Sequence, residues 1–426
     1  MICAGKRLAK TPWRRAFSAQ SVQSAPRNPY SIRNLRAYPF EIPPGYAQHM
    51  LAPFAAFLMR KKFIESILCW AFPNFGFTPL KPVRLQPVYF PAWILDVELQ
   101  GQVSIKGIDR QASAQIQHAY VPGSDYKVLS SANLAPAHPN LTKSVPFSKG
   151  LLRQHGVDIA CIPYNISPFS ILDIAGDLSN AEATIEPNFH LIPSTLKSNL
   201  FAAYPILIPL YLAQYEVETK SGTRLHTMIL EACNTAGNIW SEGFTDGSEV
   251  MEQAFMGVRS AMGQRPQTNQ EVVNMLFDKP FVEKARFSLE PHKVLGESIR
   301  KYIEGAINLP GAATTLAAAS VRYLDQLAKD RRIREFTQEE RDPVIQWLKL
   351  GSEVAKVERM RESLSQAGNV IVKGPGVKQQ NQQQFVDDAI NTLNDKFLVL
   401  QANRLKIKPR WAKTSETQGG ESSRGD

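Results

Sequence analysis

The sequence predicts an α+β protein: a duplicated antiparallel β-hairpin region over about residues 82–242, preceded by a helical segment and followed by a helical C-terminal region. Three observations predict it. An ungapped repeat aligns Val88–Leu99 with Ile206–Val217. After Gly243 the apolar residues change to the 3-4 spacing of amphipathic helices. Twenty-nine prolines among 426 residues disfavour an all-helical bundle.

In the repeat, each copy has an apolar run, a proline, an aromatic two residues later and a closing Glu-aliphatic pair. Pro91 matches Pro209, Trp93 matches Tyr211 and Glu98 matches Glu216. A turn signal follows each copy (Gln100-Gly101 and Ser221-Gly222), then a second β-leaning run, Gln102–Ile108 or Thr223–Ala232. Each unit therefore reads as a hairpin whose first strand begins near its proline. A third hairpin is expected from Thr227–Cys233 through Asn234-Thr235-Ala236-Gly237 into Asn238-Ile239-Trp240. The segments Ala112–Leu134 and Gly156–Asn180 read as irregular and β-leaning, with a short helix starting near Phe169.

The pattern Tyr89-Phe90-Pro91-Ala92-Trp93 resembles a strand motif, YxPxW/Y, found twice in a group of bacterial membrane-anchored proteins that carry an N-terminal zinc ribbon. The second copy has Leu207 in place of the leading tyrosine, and the resemblance spans about residues 85–240. It implies the fold of that region. The ribbon cysteines are absent, so it implies no metal site. In presequence style and composition the whole chain is also similar to uncharacterised mitochondrial proteins of fungi.

Net charge is +10, from 49 Lys+Arg against 39 Asp+Glu. Eight cations precede Glu41, the first acidic residue, and the stretch from Gln401 onward adds a net three. Subtracting both leaves residues 37–400 at −1. A general phosphate-binding surface is not implied, because counterion release needs cations clustered on a folded face. Residues 1–36 are acid-free and contain Arg and Ser without a continuous apolar core, the composition of a mitochondrial presequence rather than a secretory signal. Arg15, Phe17 and Ser18 mark the expected cleavage site by the matrix processing peptidase.

Residues 198–215 form eighteen consecutive uncharged residues, but Pro205 and Pro209 make a buried strand a better reading than a membrane-spanning helix. Within residues 37–81, the apolar stretch 51–74 is split by Arg60, Lys61 and Lys62. It is either a helix docking on the sheet or an interfacial helix whose three cations touch a membrane surface. In the helical region 243–367, helices are expected at 248–262, 268–279 (capped by Thr268 with Glu271), 295–307 and 312–332, and over a long stretch ending near Ser365. Thr337 and Glu340 match a capping box for the long helix, and Asp342-Pro343 matches an alternative start. A linker (368–384), a further helix (385–403) and a basic polar tail (404–426) complete the chain.

No phosphate loop, dinucleotide fingerprint, nucleophile elbow or zinc-protease motif occurs. No two of the seven histidines lie within five residues, and the four cysteines have no zinc spacing. No cofactor or metal is expected. Two assembled sites merit a structural test: Cys161 with His190 and Asp173 as a nucleophilic set, and Glu98 with Glu216 as a two-carboxylate centre across a pseudo-dyad. The expected role is a non-enzymatic mitochondrial matrix protein, peripheral to the inner membrane, serving assembly of a mitochondrial protein complex. Two alternatives stand beside it. One is RNA or ribosome association through the tail and the Arg331–Arg341 cluster; the other is an enzyme whose site no motif reveals. The oligomeric state is not legible.

Overall fold

The computed structural model describes residues 32–59, 62, 64–66, 68, 76, 78–135, 143–219, 222–235, 237–241, 281–288, 293–309, 311–367 and 379–413. The expected presequence cleavage site, the helices at 248–262 and 268–279 with the Thr268 cap, most of the linker and the end of the tail lie outside these residues. In chain order the elements are β1 (Arg36–Ala37), α1 (Pro44–Met59), β2 (Arg84–Ile105), β3 (Ile108–Pro122), α2 (Lys127–Ser130) and β4 (Val145–Pro146). The short strands β5 (Arg153–Gln154), β6 (Val157–Asp158) and β7 (Ala160–Cys161) precede α3 (Ser170–Gly176) and β8 (Thr184–Glu186). Then come β9 (Phe189–Thr219), β10 (Gly222–Glu231), β11 (Ile239–Ser241) and β12 (Val282–Phe287). Five helices close the chain: α4 (Lys293–Asn308), α5 (Ala312–Ser320), α6 (Gln338–Ala367), α7 (Gln379–Ile407) and α8 (Arg410–Lys413).

The fold class is α+β, built on one sheet in the order β11-β10-β9-β2-β3-β12. Its two long central strands are buried on both faces, which explains their near-continuous apolar runs. Tyr89, Trp93, Leu95, Phe201, Leu207 and Tyr211 point to one face, where α1, α3 and α5 pack. Phe90, Ala92, Ile94, Tyr204, Ile206 and Ile208 point to the other, covered by Leu129 of α2, by Phe336 and by α6. The segment that read either as a docking or as an interfacial helix is α1 as far as Met59. Its Ala47, Leu51, Ala52, Ala55 and Ala56 are fully buried, so it is a docking helix.

The register makes the duplication three-dimensional. Each residue of the second strand copy lies 118 positions after its counterpart, and Phe90 stands opposite Ile208, its own counterpart. A pseudo-twofold axis therefore passes through that pair. It also relates segments that the strand repeat does not include. β7 runs parallel beside Val88 and Tyr89 as β1 runs parallel beside Ile206 and Leu207. The Ile162 N–H donates to the Tyr89 carbonyl at 3.0 Å as Tyr38 N–H donates to Leu207 at 3.1 Å. Gly123 donates to Pro91, and Ala232 to Pro209, both at 2.9 Å. Trp93 Nε1 donates to the Ile166 carbonyl at 2.8 Å, and the Tyr211 hydroxyl to Ile42 at 2.7 Å.

These contacts expose a second sequence repeat: Ala37-Tyr38-Pro39-Phe40-Glu41-Ile42-Pro43-Pro44 against Cys161-Ile162-Pro163-Tyr164-Asn165-Ile166-Ser167-Pro168. Each unit is thus an extended arm, a helix and a long hairpin. The arms are crossed: the first docks on the second hairpin, the second on the first.

Several local expectations change. The prolines sit inside the strands rather than at their starts. The carbonyls of Pro91 and Pro209 face the seam where the flanking neighbour changes from hairpin partner to arm. A residue in an antiparallel ladder directs its N–H and C=O to the same side, so the missing donor falls where the ladder is already interrupted. In the first copy the turn is Lys106-Gly107, not Gln100-Gly101. Both residues have positive φ (51° and 77°), as a tight two-residue hairpin requires. The third hairpin forms as expected, with Ile229 opposite Trp240. β12 is an unexpected strand within the region read as helical, pairing with β3. The Ala-rich helix ends at Ser320, whose hydroxyl donates to the Leu316 carbonyl at 2.5 Å and accepts the Ser167 N–H at 2.7 Å. α6 starts at Gln338, with Thr337 Oγ1 accepting the Glu340 N–H at 3.4 Å, so Pro343 lies inside the helix.

Candidate functional site: the carboxylate face of the sheet

The two units depart from symmetry on the face that α6 covers. That face carries three buried carboxylates, Asp96, Glu98 and Glu231. The counterparts of the first two, Gln214 and Glu216, are half-buried and exposed respectively.

Asp96 sits at a β-bulge. Leu95 is opposite Ala119 and Val97 opposite Ile116, so Gln117 and His118 together face Asp96. His118 takes a positive φ of 55°, and its N–H donates to Asp96 Oδ1 at 2.8 Å. From the first turns of α6, Arg341 completes a bidentate pair, Nε to Oδ2 at 2.9 Å and Nη2 to Oδ1 at 3.1 Å. The guanidinium lies 5.3 Å from the Phe336 ring centre and 5.7 Å from that of Tyr204. Burial opposes its charge, but Asp96 outweighs burial and the Arg341 pKa is raised.

Two residues further along β2, Glu98 receives Gln115 Nε2 at 3.2 Å and Arg404 Nη2 from the C-terminal end of α7. Arg404 reaches the sheet across α6, its guanidinium 3.8 Å over the Trp347 ring. Gly351 makes this passage: a Cβ there would stand 2.7 Å from Arg404 Nη2 and 3.1 Å from Glu98 Oε1. Burial pushes the Glu98 carboxyl up, against the opposing pull of Arg404, Gln115 and Lys408.

Glu231 ends β10. Its Oε1 accepts from the Cys233 thiol at 2.7 Å and from Asn234 Nδ2 at 3.2 Å, while Oε2 accepts the Asn238 N–H at 3.3 Å and Asn238 Nδ2. Among the described residues the buried Tyr38 hydroxyl has no hydrogen-bond partner. Its pKa is raised by burial, then by Cys233 and Glu231.

The sequence singled out Glu98, placed Arg341 in a cationic cluster and Arg404 in the basic tail without their carboxylate partners, and missed Asp96 and Glu231. Glu98 and Glu216 do not meet, which corrects the two-carboxylate expectation. Glu98 is opposite Leu200, and Glu216 lies sixteen residues further along the same strand, roughly 50 Å. Glu216 faces Leu225 of β10 and is exposed. The nucleophilic set fails for a similar reason: Cys161 is beside Tyr89 and His190 is opposite Ser104, fifteen residues along β2. Asp173 is bound to Tyr323 and Arg322. Of the three cations considered for membrane contact, Arg60 and Lys61 lie outside the described residues. Lys62 is exposed, 3.9 Å from Glu65. Within the Arg331–Arg341 cluster, Arg332 is paired with Asp330, Arg334 with Glu340 and Arg341 with Asp96.

Among the described residues no group of three His, Cys, Asp or Glu side chains is placed to hold a metal ion, and no helix is long and apolar enough to cross a membrane. Asp96 and Glu98 thus form closed pairs that fasten helices to the sheet, while Glu231 closes the turn between β10 and β11. Compared with family models, curated proteins and solved structures, the chain matches none.

Proposed function

We propose that the protein is a non-enzymatic mitochondrial matrix protein, peripheral to the inner membrane, that serves assembly of a mitochondrial protein complex. One observation carries this reading. The sheet's buried carboxylates are engaged by the protein's own side chains, Asp96 by Arg341, Glu98 by Arg404 and Glu231 by Asn238. A general acid or base must reach a substrate proton, whereas Asp96 and Glu98 are spent on fixing α6 and α7 and Glu231 on closing the turn between β10 and β11. What Asp96 and Glu98 fix is a helical hairpin whose outer part is open: from Glu358 to Ser365, and from Val386 to Ile407, no described side chain is buried. A rigidly mounted, exposed helix pair is a fitting docking element for a partner. The acid-free first forty residues support the compartment.

Import into isolated mitochondria tests the compartment. The expected result is potential-dependent shortening near Phe17-Ser18 and protection from external protease. Blue-native electrophoresis of mitochondria lacking the protein tests the role, with one respiratory or metabolic complex expected to fall in amount. A chain that stays outside the organelle, or that sediments with ribosomes and leaves at raised salt, overturns the reading.

A further inference from the structure

We propose that the first arm is a strap that locks the base of the α6–α7 hairpin, so that the hairpin keeps its docking orientation only while the N-terminal arm is seated. This deepens the reading of that hairpin as a docking element and rests on it.

Residues 333–337 lead into α6 as a non-helical link held by two sets of bonds. β9 supplies the first: Ala203 N–H donates to the Arg332 carbonyl and Arg334 N–H to the Ala203 carbonyl, both at 2.9 Å. The first arm, residues 32–43, supplies the second. Asn34, at a positive φ of 64°, donates from Nδ2 to the Ile333 carbonyl at 3.0 Å. Arg36 Nη1 pairs with Glu335 Oε1, while its Nε donates to Ser144 Oγ at 3.0 Å and its Nη2 to the Ser144 carbonyl. Ser144 Oγ in turn donates to the Phe336 carbonyl at 3.5 Å.

The same link carries the groups that place the hairpin. It ends at the Thr337 cap, Arg334 forms a bidentate pair with Glu340, and the Phe336 ring lies 5.3 Å from the Arg341 guanidinium. Arg334 also stands 5.7 Å from the ring centre of Trp411 in α8, just past the end of α7. One short stretch therefore meets the arm, the start of α6 and the helix that follows α7.

Comparison of the two arms separates seating from strapping. The second arm docks on β2 through equivalent backbone pairing, yet it has Asp158 and Ala160, both exposed, where the first has Asn34 and Arg36. Seating an arm therefore needs neither side chain. Asn34 and Arg36 serve what only the first arm has beside it, the link into α6. Coupling through shared bonds is reciprocal, so a partner that grips the hairpin also tightens the arm. The described arm starts at Ile32, shortly after the expected cleavage site at Phe17-Ser18, so a factor still holding the N-terminus competes with the strap.

Amide hydrogen exchange of the purified full chain is the test. In Asn34→Ala/Arg36→Met the amides of residues 333–345 should exchange about tenfold faster or more, because the link loses a charged and a buried partner together. The amides of residues 93–95, in the centre of the sheet, should keep their rate. Glu335→Gln changes the other side of the contact and should speed exchange of the Tyr38 amide, which donates to the Leu207 carbonyl. Unchanged exchange at 333–345 in the double variant overturns the proposal, whether or not the Tyr38 amide is faster. Equal acceleration at residues 93–95 also overturns it, since the arm would then be part of the core and not a strap. Should the double variant fail to fold, Glu335→Gln decides, and an unchanged Tyr38 amide there is the contrary result. Exchange in the purified chain reads the strap alone, whereas loss of a mitochondrial complex reads the docking role, so the two can fail separately.

Discussion

Phe90 and Ile208 face each other at the centre of the sheet and occupy the same position of a repeated sequence. A pseudo-twofold axis through one residue pair means that the halves of the protein contact each other as two identical chains would. The crossed arms strengthen the comparison, since each half completes its sheet with a segment from the other. The protein has the form of an arm-exchanged dimer within one polypeptide.

The axis places equivalent hydrogen bonds at equivalent sites. Trp93→Phe removes the bond to the Ile166 carbonyl, and Tyr211→Phe removes the bond to Ile42. Tyr211→Phe should cost about 1–2 kcal/mol, because a buried carbonyl loses its donor, and Trp93→Phe should cost more, because it also leaves a cavity where the fully buried indole stood. The sites lie several residues apart along the paired strands, so the two losses should add within about 0.5 kcal/mol in urea unfolding. Strongly coupled losses, or a Tyr211→Phe variant as stable as the parent, would contradict this reading.

Gly123 and Ala232 are counterparts on that axis, yet only one tolerates a side chain. A Cβ on Gly123 would lie 2.7 Å from the Tyr164 ring and 2.9 Å from the Pro91 backbone. Gly123→Ala should therefore destabilise by about 1–3 kcal/mol, read as a lowered thermal midpoint.

Arg341→Met should cost about 3–5 kcal/mol, since it leaves the buried Asp96 carboxyl without its ion-pair partner. Adding Asp96→Leu should restore part of that loss by removing the orphaned carboxyl. A double variant less stable than Arg341→Met alone would show that the His118 bulge, not the ion pair, is the main need for Asp96.

The raised pKa of Glu98 carries a pH dependence of definite sign. A carboxyl with a higher pKa folded than unfolded binds its proton more tightly in the native state. Its contribution to stability is therefore largest when protonated. It declines as pH rises from the ordinary glutamate range through the raised value, where burial outweighs Arg404. Chemical denaturation across a pH series should show the parent losing stability relative to Glu98→Gln over that window and holding a constant difference above it. A parent that gains on the variant as pH rises would reverse the sign and refute the assignment.

Much of this architecture was legible because it is local or periodic. The strand copies, the third hairpin, the strand in place of a spanning helix at 198–215 and the Thr337 cap follow from residue spacing alone. The arm repeat at Ala37–Pro44 and Cys161–Pro168 was equally present in the sequence. Its eight residues become recognisable only once both are seen docked on equivalent strands.

The sequence by itself determined the α+β class, the duplicated strands and the approximate reach of α4 and α6, because apolar periodicity and proline placement act over a few neighbouring residues. Tertiary structure decided which arm docks on which hairpin, why Asp96 and Glu98 are buried while Glu216 is not, and which arginines meet them. Arg341 lies 245 residues from Asp96 and Arg404 lies 306 from Glu98. The environment of a charge depends on what packs over it, and no local spacing encodes that partner.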